Sequence, residues 1–231
     1  MSLTTTALLL AAGMGTRLGE AVPKGLIDLL GRPLFAYSLD TMAASRAIDG
    51  VVLVAPSSEL ERARTLAAGV KVGALVRDVI AGGSSRDDSV RLGLAAVPSD
   101  CDVVVCHDAA RPFATASLFV RAVDALAGAD GVVPVVPSSD TVKRIEGRRI
   151  VATVPRSDVV LAQTPQVFRL DCLRSAHDRH ARSSDSEPTD DAMLLEQAGF
   201  HVVTVEGEPS NFKITTPDDF RRAEIMVRGY E

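Results

Sequence analysis

The chain has 231 residues, of which 46% are hydrophobic and 24% charged, with a formal net charge of −5. That length suits one α/β domain with an ample core. A mildly acidic chain without a Lys/Arg block argues against a nucleic-acid polymer as partner. No apolar run approaches the roughly 20 residues that span a bilayer, and Met1 to Thr6 place no basic region ahead of the first apolar stretch. Cys101, Cys106 and Cys172 form no CxxC pair and leave one cysteine over. A cytoplasmic protein is therefore expected, with Cys101 and Cys106 in the core.

Along the chain, "TALLLA" (6–11) reads as a buried strand that runs into a glycine-bearing loop. "GVVLVAP" (50–56), "VVVCHD" (103–108), "GVVPVVP" (131–137) and "HVVTVEG" (201–207) are further β-branched runs. Between them, "SSELERARTLAA", "SVRLGLAAV" and "TASLFVRAVDALAGA" carry apolar residues at helical spacing with Ser or Thr available as caps. This alternation predicts a doubly wound, mostly parallel sheet, which binds ligands at the C-terminal ends of its strands. "DTVKRIEGRRIVATVPR" (140–156) instead alternates at period two on either side of "EGRR" and predicts a β-hairpin. It is too polar for the middle of a sheet, and either an arm packed on a second subunit or a solvated hairpin satisfies the pattern. "HARSSDSEPTDDA" (180–192) predicts a loop, with a helix from about Thr189. In "TTPDDF", Thr216 as cap, Pro217 at the first helical position and Asp219 three residues on predict a helix start closed by a capping box.

The first loop decides the chemistry to be sought. A dinucleotide fingerprint needs G-x-G-x-x-G and a carboxylate ending the second strand. Here the glycines fall at 13, 15 and 19, Leu18 stands where the third is required, and the second strand ends Ala55-Pro56-Ser57. The P-loop pattern fails as well, because Lys24 precedes the next glycine. What remains is a turn whose backbone N–H groups can cradle phosphate, with Arg17 able to grip oxygens bidentately and Lys24 adding a point charge after Pro23. A triphosphate fits that arrangement better than a dinucleotide.

"LAAGMGTRLGEAVPK" resembles the L-A-A-G-x-G-x-R…P-K signature of sugar-nucleotidyltransferase-type enzymes. "AGGSSRDDSV" (81–90), "HDAARPF" (107–113), "SDTVKR" (139–144), "TPQVF" (164–168), "TDDA" (189–192) and "NFKITTPDDF" (211–220) follow in order. Together they resemble the 2-C-methyl-D-erythritol 4-phosphate cytidylyltransferase family from about residue 7 to residue 228. The resemblance implies transfer of CMP from CTP to the polyol phosphate, with pyrophosphate leaving. It also implies a single nucleotidyltransferase domain over residues 1–231 whose arm, at about 138–158, is exchanged across a homodimer. Attack by an already ionised phosphate needs no general base; it needs positive charge around the α-phosphorus.

On that resemblance, Ala11, Ala12, Gly13 and Gly15 lie along the CTP. Arg17, Lys24 and Lys213 are the catalytic cations, although Lys213 read by itself is a lysine at a strand end. Gly83, Ser84 and Ser89 match the stretch that reads the cytosine, and Arg86 braces that loop. Asp108 ends a buried strand, where either a Mg²⁺ ion or Arg111 would relieve its charge. Arg111, Thr141, Arg156, Thr164 and Thr189 match positions that hold the acceptor, with Arg156 acting in the neighbouring subunit's site. Gly25 departs from the larger residue usual there, and Ser84 and Ser210 stand where an acidic residue is common. Ribitol 5-phosphate cytidylyltransferases and a noncatalytic CTP-binding module are the alternatives; the A-A-G of the first loop leans towards methylerythritol.

Overall fold

The apolar runs pair into one eight-stranded sheet in the computed structural model, which describes residues 3–13, 23–182 and 188–229. Its elements run β1 (Thr5–Leu10), β2 (Asp28–Leu29), β3 (Arg32–Pro33), α1 (Leu34–Ser45), β4 (Gly50–Ala55) and α2 (Leu60–Gly69). They continue through β5 (Val76–Ala81), α3 (Arg86–Ala96), β6 (Val103–Asp108), α4 (Ala116–Asp124) and β7 (Gly131–Pro137). Then come β8 (Val142–Glu146), β9 (Arg149–Val154), β10 (Val160–Ala162), β11 (Gln166–Arg169) and α5 (Leu170–His180). The chain closes with α6 (Asp191–Gln197), β12 (Val202–Glu206) and α7 (Pro217–Gly229).

β5, β4, β1 and β6 lie side by side and parallel, and β12 runs parallel to β7. Between β6 and β7 sits β11, antiparallel to both. β10 follows the same edge of β7, since Val135 pairs with Ala162 on one side and Glu206 on the other. The mostly parallel expectation holds, and three strands of this sheet, β5, β10 and β11, were not foreseen. β5 is an edge strand whose Arg77 and Asp78 are exposed, which blurs its apolar pattern, and β11 is only four residues long.

Side-chain alternation divides the core in two. Ala7 and Leu9, Val51 and Leu53, and Val103 and Val105 face the layer that includes Phe35 and Leu39 of α1, Ala63 of α2 and Phe119 of α4. Leu8, Val52, Val54, Val104 and Cys106 face Val90 and Leu94 of α3, Leu173 of α5 and Leu195 of α6. The fold is thus doubly wound. Cys101, Cys106 and Cys172 are all buried and free.

The polar stretch 140–156 forms the expected hairpin, a separate two-stranded sheet of β8 and β9. Gly147 turns it at φ +58°, a conformation that suits glycine. The helix expected from Thr189 begins later, at Asp191, because the Asp190 side chain caps it by accepting from the Met193 N–H at 3.0 Å. The Thr216 capping box forms as expected. Asp219 N–H donates to Thr216 Oγ1 at 3.2 Å, and Thr216 N–H donates to Asp219 Oδ2 at 2.8 Å. Burial opposes the Asp219 charge, but donation to its carboxylate by the Thr215 and Thr216 N–H groups and the Thr216 hydroxyl outweighs that and holds it below the usual range.

Candidate active site

A cleft of about 360 Å³ opens at the C-terminal ends of β1, β4, β5 and β6. Ala11, Ala12 and Gly13 form one wall, Gly83, Ser84 and Ser89 another, and Asp108 and Lys213 stand at the third. Eight of the residues singled out in the sequence therefore meet in one place. Arg17 and Gly15 lie outside the described residues, as does the side chain of Lys24.

The two glycine-bearing walls are set by close approach. A Cβ on Gly83 would collide with Asp88 of α3, and one on Gly25 would collide with Ala11, whose Cα would stand only 2.7 Å away. The departure at Gly25 thus has a reason: the turn after Lys24 lies directly on the strand β1 exit, and no side chain fits there. On the other wall Ser85 caps α3 by accepting from Asp88 N–H, while the Ser89 hydroxyl accepts from Gly83 N–H at 3.1 Å and donates to the Ser85 carbonyl at 2.8 Å. Ser84 Oγ donates to Asp88 Oδ2 at 2.6 Å, and that bond leads the influences that lower the Asp88 carboxyl. The loop is thus cross-linked by its own backbone and serine hydroxyls.

Strand parity decides where the end of β6 points. His107 falls on the α1/α4 face, where its ring lies 5.1 Å from Phe119. Its Nε2 meets the Arg111 carbonyl at 3.2 Å, and a carbonyl can only accept, so Nε2 carries the proton. Nδ1 then accepts from the Thr164 hydroxyl at 3.1 Å, and that hydroxyl in turn accepts from Asp108 N–H at 3.1 Å. Burial of the ring outweighs the neighbouring Asp108 charge and pushes its pKa down to about 4. The Thr164 hydroxyl proton is therefore committed within the protein.

Asp108 falls on the opposite face with α3, α5 and α6. Its Oδ2 lies 2.7 Å from Lys213 Nζ and its Oδ1 lies 3.5 Å from Arg86 Nε. Burial opposes its charge, yet Arg86 and Lys213 outweigh that and hold the carboxyl well below the ordinary range. Arg86 in turn lies 2.8 Å from Asp191, so the guanidinium sits between two carboxylates. Those carboxylates overcome the burial of Arg86 and raise its pKa further. Arg111, the other partner considered for Asp108, is turned elsewhere. It donates to the Asn211 carbonyl at 2.8 Å and the Ala162 carbonyl at 3.3 Å.

Asn211, fully buried, donates to the Thr164 carbonyl at 2.8 Å, and Ile214 N–H donates to the Ala110 carbonyl at 2.8 Å. These two anchors bring the segment that carries Lys213 across the end of β6. Thr141, Arg156 and Thr189 are exposed and do not line the cleft. Arg156 donates to the Ser139 carbonyl at 3.0 Å, at the base of the hairpin. Residues that the sequence did not single out are Asp191, His177 and Asn211. Asp191 stands in the quoted "TDDA" and Asn211 opens "NFKITTPDDF", but nothing local marks either as buried.

The model of the 2-C-methyl-D-erythritol 4-phosphate cytidylyltransferase family matches residues 5–229. The chain belongs to that family. The family's cytidylyltransferase of Rhodococcus jostii is 43% identical over 223 residues, covering 96% of this chain and 94% of its own. The bifunctional enzyme IspD/IspF of Solidesulfovibrio magneticus is 46% identical over 226 residues, with 95% of this chain covered but 56% of the relative. The chain thus spans little more than half the length of the bifunctional relatives it matches. The crystal structure of 4-diphosphocytidyl-2C-methyl-D-erythritol synthase from Anaerococcus prevotii superposes with a TM-score of 0.86 at 28% identity, covering 99% of this chain and all of the other. Among the described residues, no helix is long and apolar enough to cross a membrane, and no group of three or more His, Cys, Asp or Glu side chains is arranged to hold a metal ion.

Proposed function

We propose that the chain transfers CMP from CTP to 2-C-methyl-D-erythritol 4-phosphate, giving 4-diphosphocytidyl-2-C-methyl-D-erythritol and pyrophosphate. The observation that carries this reading is the meeting of Asp108 and Lys213 with the two small-residue walls in one cleft of a chain that belongs to this family. In the proposal Gly83, Ser84 and Ser89 read the cytosine, where buried backbone groups left unpaired by another base would penalise it. Ala11, Ala12, Gly13 and Gly15 bed the ribose and phosphates, and Arg17 and Lys24 bind the phosphate oxygens. Lys213 neutralises the charge that builds at the α-phosphorus as the acceptor oxygen attacks from the side opposite the leaving pyrophosphate.

A single carboxylate facing a phosphate site is the donor set that suits Mg²⁺, which takes few protein ligands and keeps substrate oxygens and waters. Asp108 would hold it, and the ion would supply charge neutralisation at the triphosphate. Arg111, Thr164 and Thr189 serve the acceptor on this reading. Thr141 and Arg156 belong to the arm and serve it in a second subunit, which accounts for their distance from the cleft of their own chain. Exposed apolar residues on the arm, Ile145 at 60% and Ile150 at 61%, support that contact.

The test is an acceptor panel with CTP and Mg²⁺, read by pyrophosphate release. Turnover with 2-C-methyl-D-erythritol 4-phosphate well above that with ribitol 5-phosphate is expected. No release with either, at high enzyme, would remove the proposal.

A further inference from the structure

Behind Asp108 the cleft does not end in apolar core. Arg86, the first residue of α3, lies between Asp108 and Asp191, and Asp191 is the first residue of α6 and 1% exposed. His177 of α5 stands behind both helices, with Nε2 3.5 Å from Asp191 Oδ1 and Nδ1 3.1 Å from Asp87 Oδ1. Charged groups thus run from Lys213 through Asp108 and Arg86 to Asp191, and the His177 ring lies between Asp191 and Asp87. The Arg86–Asp191 contact is close, but neither Arg86 Nη2 nor Asp191 Oδ2 has an aligned hydrogen bond. The pair is held chiefly by charge at 2.8 Å.

Burying a carboxylate such as Asp191 away from the cleft surface is costly unless a cation compensates it, and here Arg86 does so at 2.8 Å. Without Asp191, the carboxylate left beside Arg86 is Asp108, and the guanidinium would be drawn onto it. With Asp191 in place, Arg86 is pulled from both sides and reaches Asp108 by its Nε edge at 3.5 Å, which leaves Oδ2 turned to Lys213 and the cleft. We propose that Asp191, steadied by His177, is a positioning residue: it holds Arg86 back from Asp108 and so sets the orientation of the carboxylate that faces the reacting phosphates. The role assigned to Asp108 rests on the proposed cytidylyl transfer. The geometry of the relay does not. Because Asp191 also opens the helix that follows Thr189, the same ion pair ties the nucleotide wall on α3 to the acceptor side on α6.

A double-mutant cycle tests this, with turnover and NMR as separate readouts. D191N is expected to lower kcat/KM for CTP by about 10- to 100-fold. In D108N, where nothing is left to orient, adding D191N should change the rate by no more than about threefold. D191N within twofold of the parent, or losses that simply multiply, overturns the proposal. Independently of turnover, the Arg86 guanidinium signals and the Asp108 carboxyl carbon should both shift in D191N, since Nη2 loses its anion and Nε closes on Asp108. Unchanged signals in D191N also overturn it. An inactive parent with the expected NMR changes would sink the proposed reaction and leave the relay standing. If D191N does not fold, D191E, which keeps the buried charge but moves it by one methylene, decides by the same readouts. Parent-like rates and signals in D191E reject the proposal.

Discussion

The cleft and the hairpin arm use charge in opposite ways. In the cleft, Asp108 and Asp191 are buried, and each is compensated by a cation placed from a different element. In the arm, Lys143, Arg144, Arg148 and Arg149 are all exposed, and so are the apolar Ile145 and Ile150. The floor of the cleft is finished within one chain, because among the described residues Asp108 and Asp191 each meet a cation of that same chain. The arm is not, because its two sheet strands leave apolar side chains in water that a single copy has nothing to cover. Positions in the cleft should therefore govern chemistry and stability, and positions in the arm should govern acceptor binding and assembly.

The largest effect should break the cleft side of this contrast. K213A is expected to lower pyrophosphate release by at least about 100-fold, with a melting temperature near the parent's, since Asp108 keeps Arg86. A parent-like rate would take Lys213 out of the chemistry. Next, R156A should raise KM for the acceptor by about 10- to 100-fold while leaving KM for CTP close to the parent's. Mixing unfolded and refolded R156A with K213A sharpens the point. If the arm serves the neighbouring site, random pairing restores about a quarter of parental activity, and no recovery would assign Arg156 to its own chain.

A third test concerns the cleft floor. Burial keeps the folded His107 ring neutral down to about 4, whereas an unfolded imidazole takes its proton near 6.5. The folded pKa is the lower one, so this contribution is complete above about 6.5 and is lost as pH falls towards 4, by roughly 3 kcal/mol in all. Denaturant unfolding at a series of pH values, with an NMR titration of the ring, measures it. A ring that titrates near 6.5 in the folded protein would refute the assignment. The smallest change in folding should come from I150D, within about 0.5 kcal/mol for the separate chain. The same substitution should shift sedimentation towards the monomer, and an unaltered assembly would mean that the arm is a solvated hairpin.

Much of this was readable in the residues. The apolar runs located β1, β4 and β6, buried on both faces, and β7 and β12, partly exposed strands that pair with each other; the period-two stretch located the hairpin. Thr216, Pro217 and Asp219 marked the start of α7, since a capping box is a local interaction complete within four residues. β5 was hidden by its edge position. β10 and β11 were hidden by their length, three and four residues.

The identity of the cleft residues came from short motifs in which backbone shape and side-chain charge are set by neighbours in the chain. Asp108 is different, because its sequence neighbours say only that it ends a strand. Arg111, three residues away, was a reasonable partner and is not the one used. Its partners, Arg86 and Lys213, come from 22 residues before it and 105 after it. Asp191 and His177 carry no local mark at all. By itself the sequence determined which segments bury their faces, where the loops turn tightly, and which cations are available to a phosphate. Only the tertiary structure decided which carboxylate meets which cation. That pairing follows from strand parity and helix packing over long separations, and a buried charge is compensated by whatever the fold brings within a few ångströms of it.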